Sequence, residues 1–546
     1  MILVALIAVP MAGAFIAWPL GRRDPRLARW VGIAAMAVGL ALVAVIWIGH
    51  SGDLSITGRG PYLETVRARW IPQLGVSFFL ALDGLSLLLV ALCFLIGLLS
   101  VIVSWHDITE RVGFFHFHLL WAIAALVGVF LALDLFLFYF FFEMMLVPMY
   151  FLIAIWGHER RVYSAIKFFI FTQVGGLLML VGILALYFLH GHANGVYTFD
   201  YTVLLGTPLS SSAALWIMLA FFAAFAIKLP VIPLHTWLPD AHTEASTAGS
   251  LILAGLLIKI GAYGMIRFLV PLFPSAAFRF APYAMGLAVL GILYGAVLAF
   301  AQRDLKRMVA YTSVSHMGFV LLGIFAWNSL ALQGAVLEIV CHALSTGGLF
   351  ALAGMLQERT GTRELSRFGG LWAKAPKMGG VTMVLALASL GLPGLGNFVA
   401  EFLILAGTWR VSIPATILAA VGLVAATIYS LWLIQAVFQG HETHGWDFAD
   451  ITPRERGTFA VLIAPLLLLG IYPQPVLTTA RQALDNLQRY AVRSGQTAQQ
   501  APANGAAALG SPVVPVGAAT PTTASASVGN AATPTGTTTG SSGSTK

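Results

Sequence analysis

The chain has 546 residues, 59% of them hydrophobic and only 10% charged, with a formal net charge of +8. A soluble domain carries about 25% charged residues, so a water-soluble fold is excluded and lipid must be the solvent for most of the chain. The two cysteines, Cys93 and Cys341, both lie in apolar runs, which excludes a disulfide framework and a cysteine metal site.

A spanning helix needs about 20 apolar residues. In chain order that ruler predicts helices at 2–20, 30–49, 77–104, 113–133, 135–156, 165–189, 213–238, 246–270, 278–301, 308–326, 329–355, 378–409, 413–438 and 457–474. The fold class is therefore an all-α integral membrane protein with about fourteen transmembrane helices. The first run is read as a retained helix, because Arg22, Arg23, Arg26 and Arg29 follow its apolar core and no basic residue precedes it. Counting Lys and Arg between the helices, 18 follow odd-numbered helices and 6 follow even-numbered ones. Basic residues favour the inner face, so both termini are expected on the outer face of an energy-transducing inner membrane, most simply the bacterial cytoplasmic membrane. The stretch 494–546 is rich in Ala, Thr, Gly, Ser and Pro, has no apolar period, and reads as disordered.

Four charged residues fall deep inside predicted helices: Glu143, Lys228, Lys259 and Glu401. A charge at a helix centre costs about 2.5–3.5 kcal/mol, so these groups must face the protein interior, pair, or change protonation state. His316 and His342 add groups that titrate near neutral pH. Glu338 stands one turn before His342 on the same helix face, as an accessory candidate. Structural ion pairs would explain one such pair. A row spread over six helices fits a proton or ion relay better.

Two of the predicted helices are broken. The seventh reads Lys228-Leu-Pro-Val-Ile-Pro-Leu-His235, with Pro230 and Pro233 each removing a backbone donor. The twelfth reads Gly391-Leu-Pro393-Gly394-Leu-Gly396, followed by Asn397 and Glu401. Breaks at matching places in two halves point to inverted repeats, here helices 4–8 and 9–13. The implied divisions are 1–112 (three N-terminal helices), 113–271 (first repeat), 272–440 (inverted second repeat), 441–493 (helix 14 and a C-terminal helix) and 494–546 (tail).

Other polar residues carry weaker signals. His235 and His242 flank Trp237-Leu-Pro-Asp-Ala without the spacing of a metal site, and His441-Glu-Thr-His444 also lacks it, so no metal is expected. His106, His116, His118 and His158 lie near helix ends and read as interfacial, and Asp83 and Asp134 as helix caps. With no Gly-rich phosphate loop, dinucleotide fingerprint or cysteine cluster, no cofactor is expected in this chain.

The stretch Ile227-Lys-Leu-Pro-Val-Ile-Pro-Leu-His-Thr-Trp-Leu-Pro-Asp-Ala-His-Thr-Glu-Ala245 resembles the signature of antiporter-like subunits of proton-pumping NADH–quinone oxidoreductase, respiratory complex I. Leu253-Ala-Gly-Leu-Leu-Ile-Lys-Ile-Gly-Ala-Tyr-Gly264, Asp304-Leu-Lys-Arg307, Tyr311-Thr-Ser-Val-Ser-His-Met-Gly318 and Gly391-Leu-Pro-Gly394 continue the resemblance, which covers most of residues 1–490. Glu401, where the L and N types carry lysine, makes the chain most similar to the M type, called chain 4 in mitochondria. The resemblance implies that Glu143 and Lys228 act as a pair, Lys259 as a central relay, His316 and His342 as bridges, and Glu401 as the terminal carrier. It also implies L-like and N-like partner subunits, and NADH, FMN, iron–sulfur clusters and a quinone held by other subunits, with no nucleic acid. The chain departs from the family pattern at Glu338 (glutamine expected), Ala343 and Ala400 (glycines) and Ser246 (proline). Related exchanger and hydrogenase-linked complexes share the same core and are the alternatives.

Overall fold

The computed structural model describes residues 1–52, 62–442 and 444–500, with side chains to 488. Twelve helices among them are long and apolar enough to cross a membrane, or thirteen if the bent pair Pro453–Ile471 and Gln474–Gln488 is one span. The predicted helix 378–409 is divided into Pro376–Ser389 and Gly396–Trp409, each of 14 residues and too short to span alone.

Local chemistry moves several boundaries. The second helix begins at Pro25, because Asp24 accepts from the Arg26 amide and a proline is preorganised for the first helical position. The predicted helix 77–104 is corrected at its start. Residues Val76–Leu82 form a strand paired antiparallel with Glu64–Ile71, and the helix runs Gly84–Asp107. Asp83 accepts from the Ser86 amide at that junction, and Asp134 caps Leu135–Met144 through Phe136 N and Leu137 N, as expected of both. His116 and His118 lie near the start of helix Val112–Leu131 and are buried there by neighbouring helices. Residues 494–500, expected in the tail, continue helix Gln474–Gln500, while Arg59 and 501–546 lie outside the described residues.

The core lies where the helices with the buried charges meet. Thr247–Leu272, Leu305–Phe325 and Ser329–Thr360 are almost entirely buried, whereas Arg161–Asn194, Pro274–Phe300 and Ile413–Phe438 expose much of their apolar surface. Thr247–Leu272 is one predicted helix with two unforeseen π segments, Leu253–Leu257 and Met265–Leu269. Within the second, Arg267 forms a buried pair with Asp83 at 2.6 Å.

A buried ionisable row as the candidate functional site

Each break is held open by groups that satisfy the backbone it frees. Helix Ser211–Lys228 stops because Pro230 has no amide to donate. The Ala226 carbonyl instead accepts from Val231 N at 2.8 Å, and the Ile227 carbonyl from Trp237 Nε1 at 2.9 Å. Pro230 and Pro233 thus sit in a turn that resumes as helix Trp237–Glu244. At the second break Leu392 N reaches the Leu387 carbonyl at 3.0 Å, and Pro393 and Gly394 carry the chain to Gly396. Gly391 and Gly394 have φ of +77° and +97°, where a side chain would be strained.

Lys228 is the last residue of its half-helix and is fully buried. Its Nζ has no hydrogen-bond partner among the described residues and lies 5.0 Å from the Phe142 ring centre and 5.4 Å from that of Phe168. Glu143 is half-buried, and its Oε1 has no hydrogen-bond partner among the described residues. No hydrogen bond joins Glu143 to Lys228, and the two act on each other through space. Gly176 makes room for this arrangement, since a Cβ there would stand 1.7 Å from Glu143 Oε1.

From Lys259 onward the groups touch. In an α-helix the Ala254 carbonyl would accept from Ile258 N. In the π segment Ile258 N turns to Leu253 O, and Ala254 O accepts from Lys259 Nζ. Lys259 Nζ also lies 2.6 Å from His342 Nδ1. The His342 and His316 ring centres are 5.5 Å apart. His316 Nδ1 lies 3.1 Å from Glu401 Oε1 and 3.3 Å from Glu338 Oε1, while its Nε2 faces Ser389 Oγ at 3.2 Å and Tyr429 OH at 3.5 Å.

Glu338 keeps its expected place one turn before His342 on helix Ser329–Thr360. Its carboxylate turns to His316 and to Asn397 Nδ2, which donates at 3.3 Å. One ligand atom each from His316, Glu338 and Glu401 lie within 4.8 Å of one another, close enough to hold one small positive charge in common. His242 is fully buried, with its ring stacked 4.5 Å from Phe350 and the charges of Lys259 and Lys306 acting on it. His235 packs near the rings of Tyr294 and Tyr311, without a contact to the row. Ser389 and Tyr429 are site members that the sequence does not signal, because neither costs enough in lipid to stand out. At the far end of the core, His158 Nε2 lies 3.3 Å from Lys306 Nζ. Burial first, and then the charges of Lys306, Arg363 and Arg161, push the His158 imidazole down to about 3.

Residues 132–428 match the model of the NADH:quinone oxidoreductase/Mrp antiporter transmembrane family. The chain belongs to this family. It is 49% identical over 500 residues to NADH-quinone oxidoreductase subunit M of Pseudomonas aeruginosa, covering 90% of this chain and 98% of that one. It is 48% identical over 508 residues to the subunit M of Escherichia coli K12, covering 91% and 99%. Its fold superposes on a chain of respiratory complex I from Thermus thermophilus with a TM-score of 0.81 and 32% identity, covering 91% of this chain and all of that one. A chain of the Mrp complex from a Dietzia species shares the fold with a TM-score of 0.79 at 21% identity, covering 90% and 99%. The M-type assignment read from Glu401 agrees with the names of these relatives. The row of buried charges lies within the family-matched segment from Glu143 to Glu401.

Proposed function

We propose that this chain is a proton-translocating membrane-arm subunit of NADH–quinone oxidoreductase, moving protons along the row Glu143, Lys228, Lys259, His342, His316 and Glu401. The observation that carries the reading is the succession of contacts from Lys259 through His342 and His316 to Glu401, beside two broken helices. Bridging imidazoles accept a proton on one nitrogen and release it from the other. An ammonium holds its proton while a carboxylate is near and yields it when the carboxylate withdraws into surroundings of aromatic rings. The separation of Glu143 from Lys228 supplies such a movable partner. Each proton moved costs about 2.3 kcal/mol per 100 mV of membrane potential, and quinone reduction elsewhere in the complex supplies it.

In this reading the redox cofactors sit in other subunits, the neighbours are L-like and N-like membrane subunits, and both termini face the outer side of the bacterial inner membrane. The relatives' names favour complex I over a cation/proton exchanger. The test is the complex reconstituted in proteoliposomes with Lys228→Ala or Glu143→Ala. Proton pumping is expected to fall at least about tenfold in each. Unchanged pumping and quinone reduction in both variants would remove these residues from the path.

A further inference from the structure

Three hydrogen-bond acceptors meet at one buried point. Oε1 of Glu338 and Oε1 of Glu401 lie 3.3 and 3.1 Å from the same atom, His316 Nδ1. An ionised carboxylate offers only lone pairs, and a ring nitrogen donates only when it carries hydrogen. All three residues are at most 2% exposed, so water cannot screen them. Three bare acceptors in contact would repel one another in such surroundings. At least one proton therefore resides among them.

The second ring nitrogen shows how that proton can move. Nε2 of His316 faces Ser389 Oγ and Tyr429 OH, both able to accept from an N–H group. With Nε2 donating there, Nδ1 is left to take or give a proton on the carboxylate side. The two carboxyl groups are held unequally. Asn397 donates to Glu338, while Glu401 Oε2 is buried without a partner and packed where a Cβ on Gly391 would stand 2.5 Å away.

We propose that Glu338 is a further proton carrier of this chain, sharing one proton with Glu401 across Nδ1 of His316. The proposal rests on the relay reading and adds a residue to its end. The O–H bond of Glu338 breaks as the Nδ1–H bond of His316 forms, and that bond breaks as the O–H bond of Glu401 forms. One proton moves, and the total charge of the trio is unchanged. The ionisable groups that act around Glu338 are His316, Glu401, Lys259 and Tyr429 from facing helices and Cys341 from its own, with His342 one turn further along that helix. Glu338 stands on helix Ser329–Thr360 and Glu401 on Gly396–Trp409, the second half of the broken helix, so the pair joins two neighbouring helices.

The experiment uses the whole complex in proteoliposomes, with Glu338→Gln, Glu401→Gln and the double variant. Either carboxyl group can take the proton alone, so each single variant is expected to retain part of the pumping. The double variant is expected to fall at least about tenfold below either. Infrared difference spectra taken during turnover should show a protonated-carboxyl band that weakens in both single variants and vanishes in the double. A double variant that pumps like Glu401→Gln, with the carboxyl band of Glu338→Gln unchanged, would overturn the proposal. So would a metal ion found in the purified complex and lost in Glu338→Gln, since a cation would then occupy the place of the proton. Should pumping in Glu401→Gln already be abolished, the band in Glu338→Gln decides alone. Wild-type pumping by Glu401→Gln and His316→Ala alike would instead overturn the relay itself.

Discussion

The two broken helices hold their charges in opposite ways. At the first, Lys228 ends a half-helix with no hydrogen-bond partner, two phenylalanine rings beside its ammonium, and its carboxylate out of direct contact. At the second, Glu401 touches His316, which in turn meets Glu338, Ser389 and Tyr429. A lone buried ammonium depends on whatever comes near it, because aromatic rings offer only a weak substitute for water. A carboxylate wired to an imidazole and a second carboxylate has its partners built in. In the relay proposed above, the first site is the switch and the second the proton store, on one chain and beside similar backbone breaks.

The largest effect should come from taking the bridge out of the store. His316→Ala leaves two buried carboxyl groups facing each other without the imidazole, and removal of one partner from a buried charged cluster costs about 3 kcal/mol. Thermal unfolding of the detergent-solubilised complex should show this loss for His316→Ala. Lys228→Met, which removes a charge that has no bonded partner, should cost no stability while still stopping pumping. Equal destabilisation by both would break the comparison.

Gly176→Ala sharpens the switch side without removing any ionisable group. Its Cβ would meet Glu143 Oε1 at 1.7 Å, so the carboxylate must move from its present place. Proton pumping should fall severalfold while the complex assembles normally. The same substitution at Gly286, which has open space around it, should leave pumping unchanged.

The smallest effect belongs to a group outside both breaks. His158, in the loop between two helices, is held neutral with its titration pushed from 6.5 down to about 3 by burial and neighbouring cations. Its neutral form supports the fold above pH 6.5, and that support fades as pH falls from 6.5 toward 3, because the unfolded chain binds the proton more readily. Between pH 7 and about 5, His158→Asn should lose less thermal stability than the native chain. Parallel stability curves would show that the histidine does not matter.

What could be read from the sequence follows from what lipid penalises. Glu143, Lys228, Lys259 and Glu401 stood out because each charge costs free energy in a bilayer, and the breaks because proline and glycine interrupt a helix. The hairpin strand Val76–Leu82 was hidden because Val-Ser-Phe-Phe-Leu-Ala-Leu is as apolar as the helix that follows it. The π segments around Lys259 were hidden because an extra residue in a turn changes no composition. Glu338 is legible in the sequence one turn before His342, but its contact with His316 is not. Spacing along one helix gives its own neighbours, whereas the approach of His316 from Leu305–Phe325 is set by packing between helices. Ser389 and Tyr429 joined the site for the same reason, having no charge to announce them.

The most direct test of the relay is at its centre, where Lys259 meets His342 at 2.6 Å. Protons translocated per pair of electrons should be measured in the assembled complex, reconstituted in proteoliposomes, with Lys259→Ala. The expected result is a lower proton-to-electron ratio, or arrested quinone reduction with the NADH-oxidising part still active toward an artificial acceptor. A wild-type ratio at a wild-type rate of quinone reduction would contradict the account.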